Sequence, residues 1–236
     1  MAGSDTSGGV AAPPWNGGAK KRGPKLGLIF GVAVAFAALM WAFPLFHVVR
    51  LKSATSVAPD ATAPAAFDPV AAAAKFWQSE LPAAASRARE LAPLAASLRD
   101  DAANARTRFG HAAGLGTAYF FVRGSGTVVA RERNAVHIAV AGTKEIVALR
   151  IGPIFGNTVR DGCGLLDVNA FPGLQEFNAL SAELNQLVER KVLPALRDKA
   201  VVGATVQFVG CAEAPESAPD AGEPLLVIVP VQAEVR

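Results

Sequence analysis

Leu26–Val49 is an uncharged apolar run, entered through Lys20, Lys21, Arg22 and Lys25 and left through Arg50 and Lys52. Everything after it is thereby committed to a membrane surface. At 1.5 Å per residue a helix of that length reaches roughly 36 Å, enough for the hydrocarbon core. The basic residues are denser on the amino-terminal flank, which puts Met1–Lys25 in the cytoplasm and Leu51–Arg236 on the far side. A cleavable signal peptide is the rival reading, since Ser56-Val57-Ala58 and Ala61-Thr62-Ala63 are small-residue sites. Each is followed by proline, and the run outlasts a signal core. An uncleaved anchor helix over 26–49 is therefore expected.

The charge left over then decides the partners. Of 23 Lys and Arg and 20 Asp and Glu, four basic residues and one acid precede Leu26, so 19 of each remain beyond it. A neutral extracytoplasmic part offers no phosphate-binding surface, and nucleic acid is excluded as a partner. The segment 1–25 is rich in Gly, Ala and Ser and cannot bury enough apolar surface to fold. Residues 50–66, with Pro59 and Pro64 among alanines, read as a linker holding the next domain off the bilayer.

Two segments make up the rest. Over 67–112 the pattern is helical: Asp68 caps, Pro69 occupies the first turn, and the helix runs to Trp77. Pro82 ends it or opens a second helix over Ala83–Phe109, kinked by Pro93 and stopped at Gly110. Over 113–236 the period turns to strands. Tyr119–Arg123, Thr127–Arg131, Ala135–Val140 and Glu145–Ile151 read as a meander with Gly124-Ser125-Gly126 as a hairpin turn. A helix with Leu174, Phe177, Leu180, Leu184, Leu187 and Val188 at helical spacing follows, broken near Pro194. Val201–Cys211 and Leu225–Val235 are further strands, with Pro230 marking a bulge or an edge. The expected class is α+β: a small helical subdomain, then an OB-like antiparallel β-barrel plugged by one long helix. A two-layer sheet-plus-helix arrangement is the alternative.

No Walker A loop, HExxH, paired CxxC or GxSxG elbow is present, and the glycines at 114, 116, 124 and 126 precede a hairpin rather than a helix. Neither a cofactor nor a metal site is expected, because two distant cysteines and three scattered histidines lack ligand spacing. His137 stands opposite the apolar face of Val136, Ile138 and Val140 and reads as a surface or packing residue. Cys163 and Cys211 either form one bridge, worth ~3–4 kcal/mol, or are two separately buried thiols. The polar concentration is Asn157, Arg160, Asp161, Asp167 and Asn169, ahead of the long helix. Asn157, Arg160, Asp161 and Asn169 are the candidate ligand-binding residues, fit to read sugar hydroxyls or a peptide carboxylate. The competing role for Arg160 and Asp161 is to fix the loop, with Asp167 or Asn169 as a helix cap. Asn178, Ala182, Asn185 and Glu189 share a helix side, expected to be solvated unless it extends that site.

The stretches "FDPVAAAAKFW", "RFGHAAGLGTAYFFVRGSGTVV", "RIGPIFGNTVRDG" and "VNAFPGLQEFNALSAELN" together resemble domain-of-unknown-function family 2291, the predicted periplasmic lipoproteins, over roughly Pro44–Val235. The most specific elements are Gly152, Arg160-Asp161, Asn169, Phe171 and Leu184-Asn185. The resemblance implies a helical subdomain followed by an OB-like barrel, and a location on the periplasmic side of the inner membrane. It also implies an accessory role beside sugar ABC transporters, with no established activity. Two departures stand out. Pro44-Leu45-Phe46-His47 occupies the place of a lipobox cysteine, and Pro172-Gly173-Leu174 replaces a polar run. The resulting expectation is a non-enzymatic, single-pass protein that binds a small polar ligand or a transporter permease or substrate-binding protein. An envelope scaffold docking other proteins is the second reading, and a hydrolase or lyase using Asp161 or Asp167 as general base the third.

Overall fold

The computed structural model describes residues 67–113 and 116–236. The tail, anchor and linker expected over 1–66 lie outside the described residues, among which no helix is long and apolar enough to cross a membrane. The described residues make one compact unit.

Asp68 opens the fold as its sequence suggests, its carboxylate accepting from Val70 N and Ala71 N at 2.9 and 3.1 Å ahead of α1 (Pro69–Lys75). Pro82 stands in the first turn of a second helix, as one of its two expected roles had it, but that helix is short and directly continues a widened turn. The chain widens into a π turn at Phe76–Glu80, where Leu81 N bonds Phe76 O, and resumes as α2 (Leu81–Ala85). Proline lacks the N–H and crowds the carbonyl four residues back, and a widened turn relieves both. The expected Ala83–Phe109 helix is divided elsewhere than at Pro93. After β1 (Arg89–Glu90) come α3 (Leu91–Asp100) and α4 (Ala102–Phe109). Pro93 sits in the first turn of α3, where no intrahelical N–H is lost. The break falls at Asp101, whose side chain caps α4 through Asn104 N at 2.9 Å.

The sheet corrects the meander. Residues 117–131 form one strand, β3 (Thr117–Arg131), preceded by β2 (His111–Ala113) and followed by β4 (Ala135–Val140) and β5 (Ile146–Arg150). Gly124-Ser125-Gly126 lies inside β3 and is not a hairpin turn. These glycines serve close approach instead: a Cβ on Gly126 would meet the Ala139 carbonyl oxygen and come within 2.6 Å of Ile138 Cγ2, and one on Gly124 would press on Leu91. The expected β3–β4 and β4–β5 hairpins form, and the unexpected one is β2–β3, with Ala113 opposite Thr117 and Gly116 in the left-handed region.

Length lets β3 serve two neighbours. Its residues 126–131 pair with β4 and its residues 119–127 with β6 (Thr205–Glu213). β7 (Val227–Val235) joins β6 antiparallel and β5 parallel, so the pairings β3–β4–β5–β7–β6–β3 run in a closed circuit. The sheet is thus mixed rather than antiparallel, since β1 also runs parallel to β3. The long connection from β5 to β7 makes the parallel pairing possible. Pro230 pairs with Gly210 at the register shift, beside the extra residue Val231, where its missing N–H is tolerated.

Between β5 and β6 lie α5 (Thr158–Gly162), α6 (Leu174–Lys191) and α7 (Leu193–Lys199), with Pro194 in the first turn of α7. The long helix does not plug the sheet. α6 packs on α1, α5 and α7, while short α5 lies against β3, β6 and β7. Gly162 permits this, because a Cβ there would stand 2.9 Å from Cys211 Sγ on β6. Leu91, Leu94 and Leu98 of α3 join Phe120, Ile138, Leu149 and Leu184 in a single core. Leu174, expected inside, is instead 66% exposed at the first turn of α6.

Candidate functional site

The β2–β3 hairpin, α5, the loop 164–168 and the start of α6 enclose a cleft of about 690 Å³. His111 and Tyr119 are paired residues of the hairpin, so their side chains stand on one face, and that face is one wall. Gly164, with φ +66°, lets the opposite loop close to 3.1 Å from the His111 ring, measured from where its Cβ would be. Leu165, Leu166, Val168 and Leu174 supply an apolar lip.

Three of the four expected residues, Asn157, Arg160 and Asp161, line this cleft, together with Asp167. Asn169 does not. It is turned onto Asp167, whose Oδ1 accepts from Asn169 N at 2.9 Å and from Asn169 Nδ2 at 2.8 Å, capping a 3₁₀ turn at Val168–Ala170. Arg160 is only 5% exposed. Its Nε and Nη2 donate to the two oxygens of Asp161 at 2.6 and 2.9 Å, and its Nη1 donates to Asn178 Oδ1 at 2.8 Å and Phe177 O at 3.4 Å. The guanidinium also lies 3.8 Å over the Phe177 ring. One N–H of the guanidinium has no acceptor among the described residues. These bonds join α5 to α6, as a loop-fixing pair would, and leave little positive charge for an incoming carboxylate. Both Asp161 oxygens accept a hydrogen bond from Arg160.

An aromatic series backs the pair. Phe177 packs on Phe171 at 5.0 Å between ring centroids, and Phe171 meets Phe67 edge-on at 5.5 Å. The first described residue of the chain is thereby tied to the side chain that Arg160 covers.

Tyr119 is the site residue that sequence reasoning missed. It is the chain's one tyrosine, set in the strand "TAYFFV" where an apolar reading is natural. Burial, then the charges of Asp161 and Glu213, raise its pKa above 10.0, with Arg160 opposing. The phenol thus stays protonated and able to donate within the cleft.

On the helix side of Asn178, Ala182, Asn185 and Glu189, Asn178 and Ala182 are exposed as expected, but Asn185 is buried and Glu189 is half-buried. Ser181 Oγ and Asn185 Nδ2 both donate to Gly156 O at 2.9 Å, and Ile154 N donates to Glu189 Oε1 at 2.7 Å. This row clamps the loop 154–157 onto α6 and leaves Phe155 75% exposed. Asn185 Oδ1 is buried without a partner among the described residues. Cys163 and Cys211 are free buried thiols. Burial pushes the Cys163 thiol up to about 11 and the Cys211 thiol well above 9.0. His137, on the outer side of β4, has Nε2 3.0 Å from Glu132 Oε1.

The family model of the predicted periplasmic lipoproteins, DUF2291, matches residues 33–234, and the chain belongs to that family. No curated protein matches it. A crystal structure of an OB-fold protein from Thermotoga maritima is similar in fold, with a TM-score of 0.62 and 20% identity, over 72% of this chain and 99% of that one.

Proposed function

We propose that this member of the predicted periplasmic lipoprotein family is a non-enzymatic binding component. Leu26–Val49 holds it on the periplasmic side of the inner membrane as a single-pass anchor, with the amino terminus cytoplasmic. Its role is accessory to carbohydrate ABC transport, through contact with a permease, a substrate-binding protein or a small polar ligand. The single observation that carries the binding role is the cleft at the β2–β3 hairpin. It combines a buried tyrosine hydroxyl, an amide and two carboxylates with an apolar lip, the composition of a recognition site. The anchor is supported by the length and flanking charge of the run, and by the burial of both cysteines within the fold, where neither can carry a lipid. The transport role is what the resemblance to the family implies.

The test is crosslinking in native membranes, pull-down of the full-length protein and mass spectrometry of what accompanies it. A permease or substrate-binding protein is expected, and Tyr119→Phe combined with Asn157→Ala should reduce its recovery. Recovery unaffected by changes in the cleft would overturn the assignment of this site.

A further inference from the structure

We infer that the cleft takes one extended segment of a partner protein, which adds to the free edge of β2 and places a basic side chain beside Asp167. The inference rests on the binding role proposed for this cleft and names the partner's chemistry.

The hydrogen-bond register fixes which backbone groups are free. Ala214 N donates to Ala118 O at 2.8 Å, so Ala118 faces β6, and its neighbours Thr117 and Tyr119 face β2. His111 and Ala113 are therefore the residues of β2 that bond to β3, and the N–H and C=O of Ala112 point the other way. Neither group has a partner among the described residues. Ala112 is exposed and lines the cleft, so its donor and acceptor are presented there. A donor and acceptor on one residue of a strand edge match a residue of another extended chain, the arrangement of β-strand addition.

Charge selects the occupant. The titratable groups lining the cleft are His111, Tyr119, Arg160, Asp161 and Asp167. Arg160 and Asp161 neutralise each other through two hydrogen bonds. Asp167 uses one oxygen for Asn169 and has no cation against it among the described residues. The cleft is thus left with net negative charge, which favours a lysine or arginine and disfavours a carboxylate. Exposed Val168 and Leu174 on the opposite lip provide apolar contact for flanking side chains.

The experiment uses full-length protein in detergent and fluorescence anisotropy with a fluorescein-labelled peptide of alternating threonine and valine around one central lysine. Three companions are measured: the same peptide with glutamate for lysine, the same peptide with N-methylated backbone, and a panel of free monosaccharides read by thermal shift. The lysine peptide is expected to bind, with the glutamate and N-methylated forms at least about tenfold weaker. Ala112→Pro should abolish binding without lowering Tm, because proline is tolerated where an edge N–H faces outward. Equal binding of all three peptides would overturn strand addition. Stabilisation by a monosaccharide, lost in Tyr119→Phe, with no peptide bound, would overturn the peptide while leaving the cleft as a binding site. Binding of either probe undisturbed by Tyr119→Phe, Asn157→Ala and Asp167→Asn would remove both readings.

Discussion

Replacing Arg160 by alanine should unfold the protein more readily before it affects any ligand. The side chain is 5% exposed, bonded to both oxygens of Asp161, to Asn178 and to Phe177 O, and stacked on the Phe177 ring. Removing one partner of a buried ion pair costs ~3–5 kcal/mol, because the other charge is left uncompensated. The Asp161 side chain retains 12% exposure, which places the expectation toward the lower end, about 3 kcal/mol. For a unit of this size each kcal/mol moves Tm by ~2–4 °C, so a fall of roughly 6–12 °C is expected. Calorimetry or far-UV circular dichroism on the full-length protein in detergent measures it. Arg160→Lys should recover only part, since an ammonium cannot make the paired bonds of a guanidinium. The double change Arg160→Met with Asp161→Leu should recover most of the loss, because it removes both charges and keeps the volume. A Tm for Arg160→Ala within about 2 °C of wild type, a shift that marks less than ~1 kcal/mol, would refute the structural role and restore Arg160 to a ligand.

The other expectations are smaller in scope. Tyr119, Cys163 and Cys211 all have folded-state pKa values raised above their usual 10.0, 9.0 and 9.0. The neutral form of Cys163 stabilises the fold fully below about 9, and that contribution is lost as pH rises toward about 11; Cys211 and Tyr119 act in the same direction above their usual values. The urea midpoint should fall steadily over that window, and Cys163→Ala should flatten the fall; a midpoint independent of pH there would contradict the burial of these groups. Gly126→Ala should destabilise by ~2–3 kcal/mol or more, as overpacking against a carbonyl and Ile138 does, whereas Gly142→Ala, with φ +78° and no neighbour within 4 Å, should cost only ~1 kcal/mol. Equal denaturation midpoints for the two would mean that β3 does not pass β4 as closely as described. Asp68→Ala should cost ~1 kcal/mol through loss of the cap on α1, and an unchanged Tm would show that the bonds to Val70 N and Ala71 N carry no stability.

How far this fold could be read from residues depends on whether a signal is local. Asp68-Pro69 carries its own mechanism, a capping carboxylate and a proline needing no N–H, and the helix begins there. Pro230 likewise announces a missing donor and sits at the bulge. Gly124-Ser125-Gly126 failed because glycine has two uses, a positive φ or the absence of a side chain, and sequence does not say which. Only the approach of Ala139 and Leu91, both distant in the chain, settles it as the second. The parallel β5–β7 pairing is also invisible locally, since an apolar run fits either direction.

The site follows the same division. Arg160 and Asp161 were legible as a pair because they are neighbours, but their consumption by each other depends on Asn178 and Phe177 from α6, which local reading cannot place. Asn185 and Glu189 fit a solvated stripe by periodicity alone. Gly156 O and Ile154 N, arriving from the preceding loop, turned that stripe into a clamp. Tyr119 was hidden by its aromatic neighbours and is exposed as a site residue only by its pairing with His111 and the gap opposite. The consequence is chemical. With the arginine held by Asp161 and Asn178 and the tyrosine kept protonated, the cleft presents a hydroxyl donor, a backbone edge and, in Asp167, a carboxylate with no cation against it among the described residues.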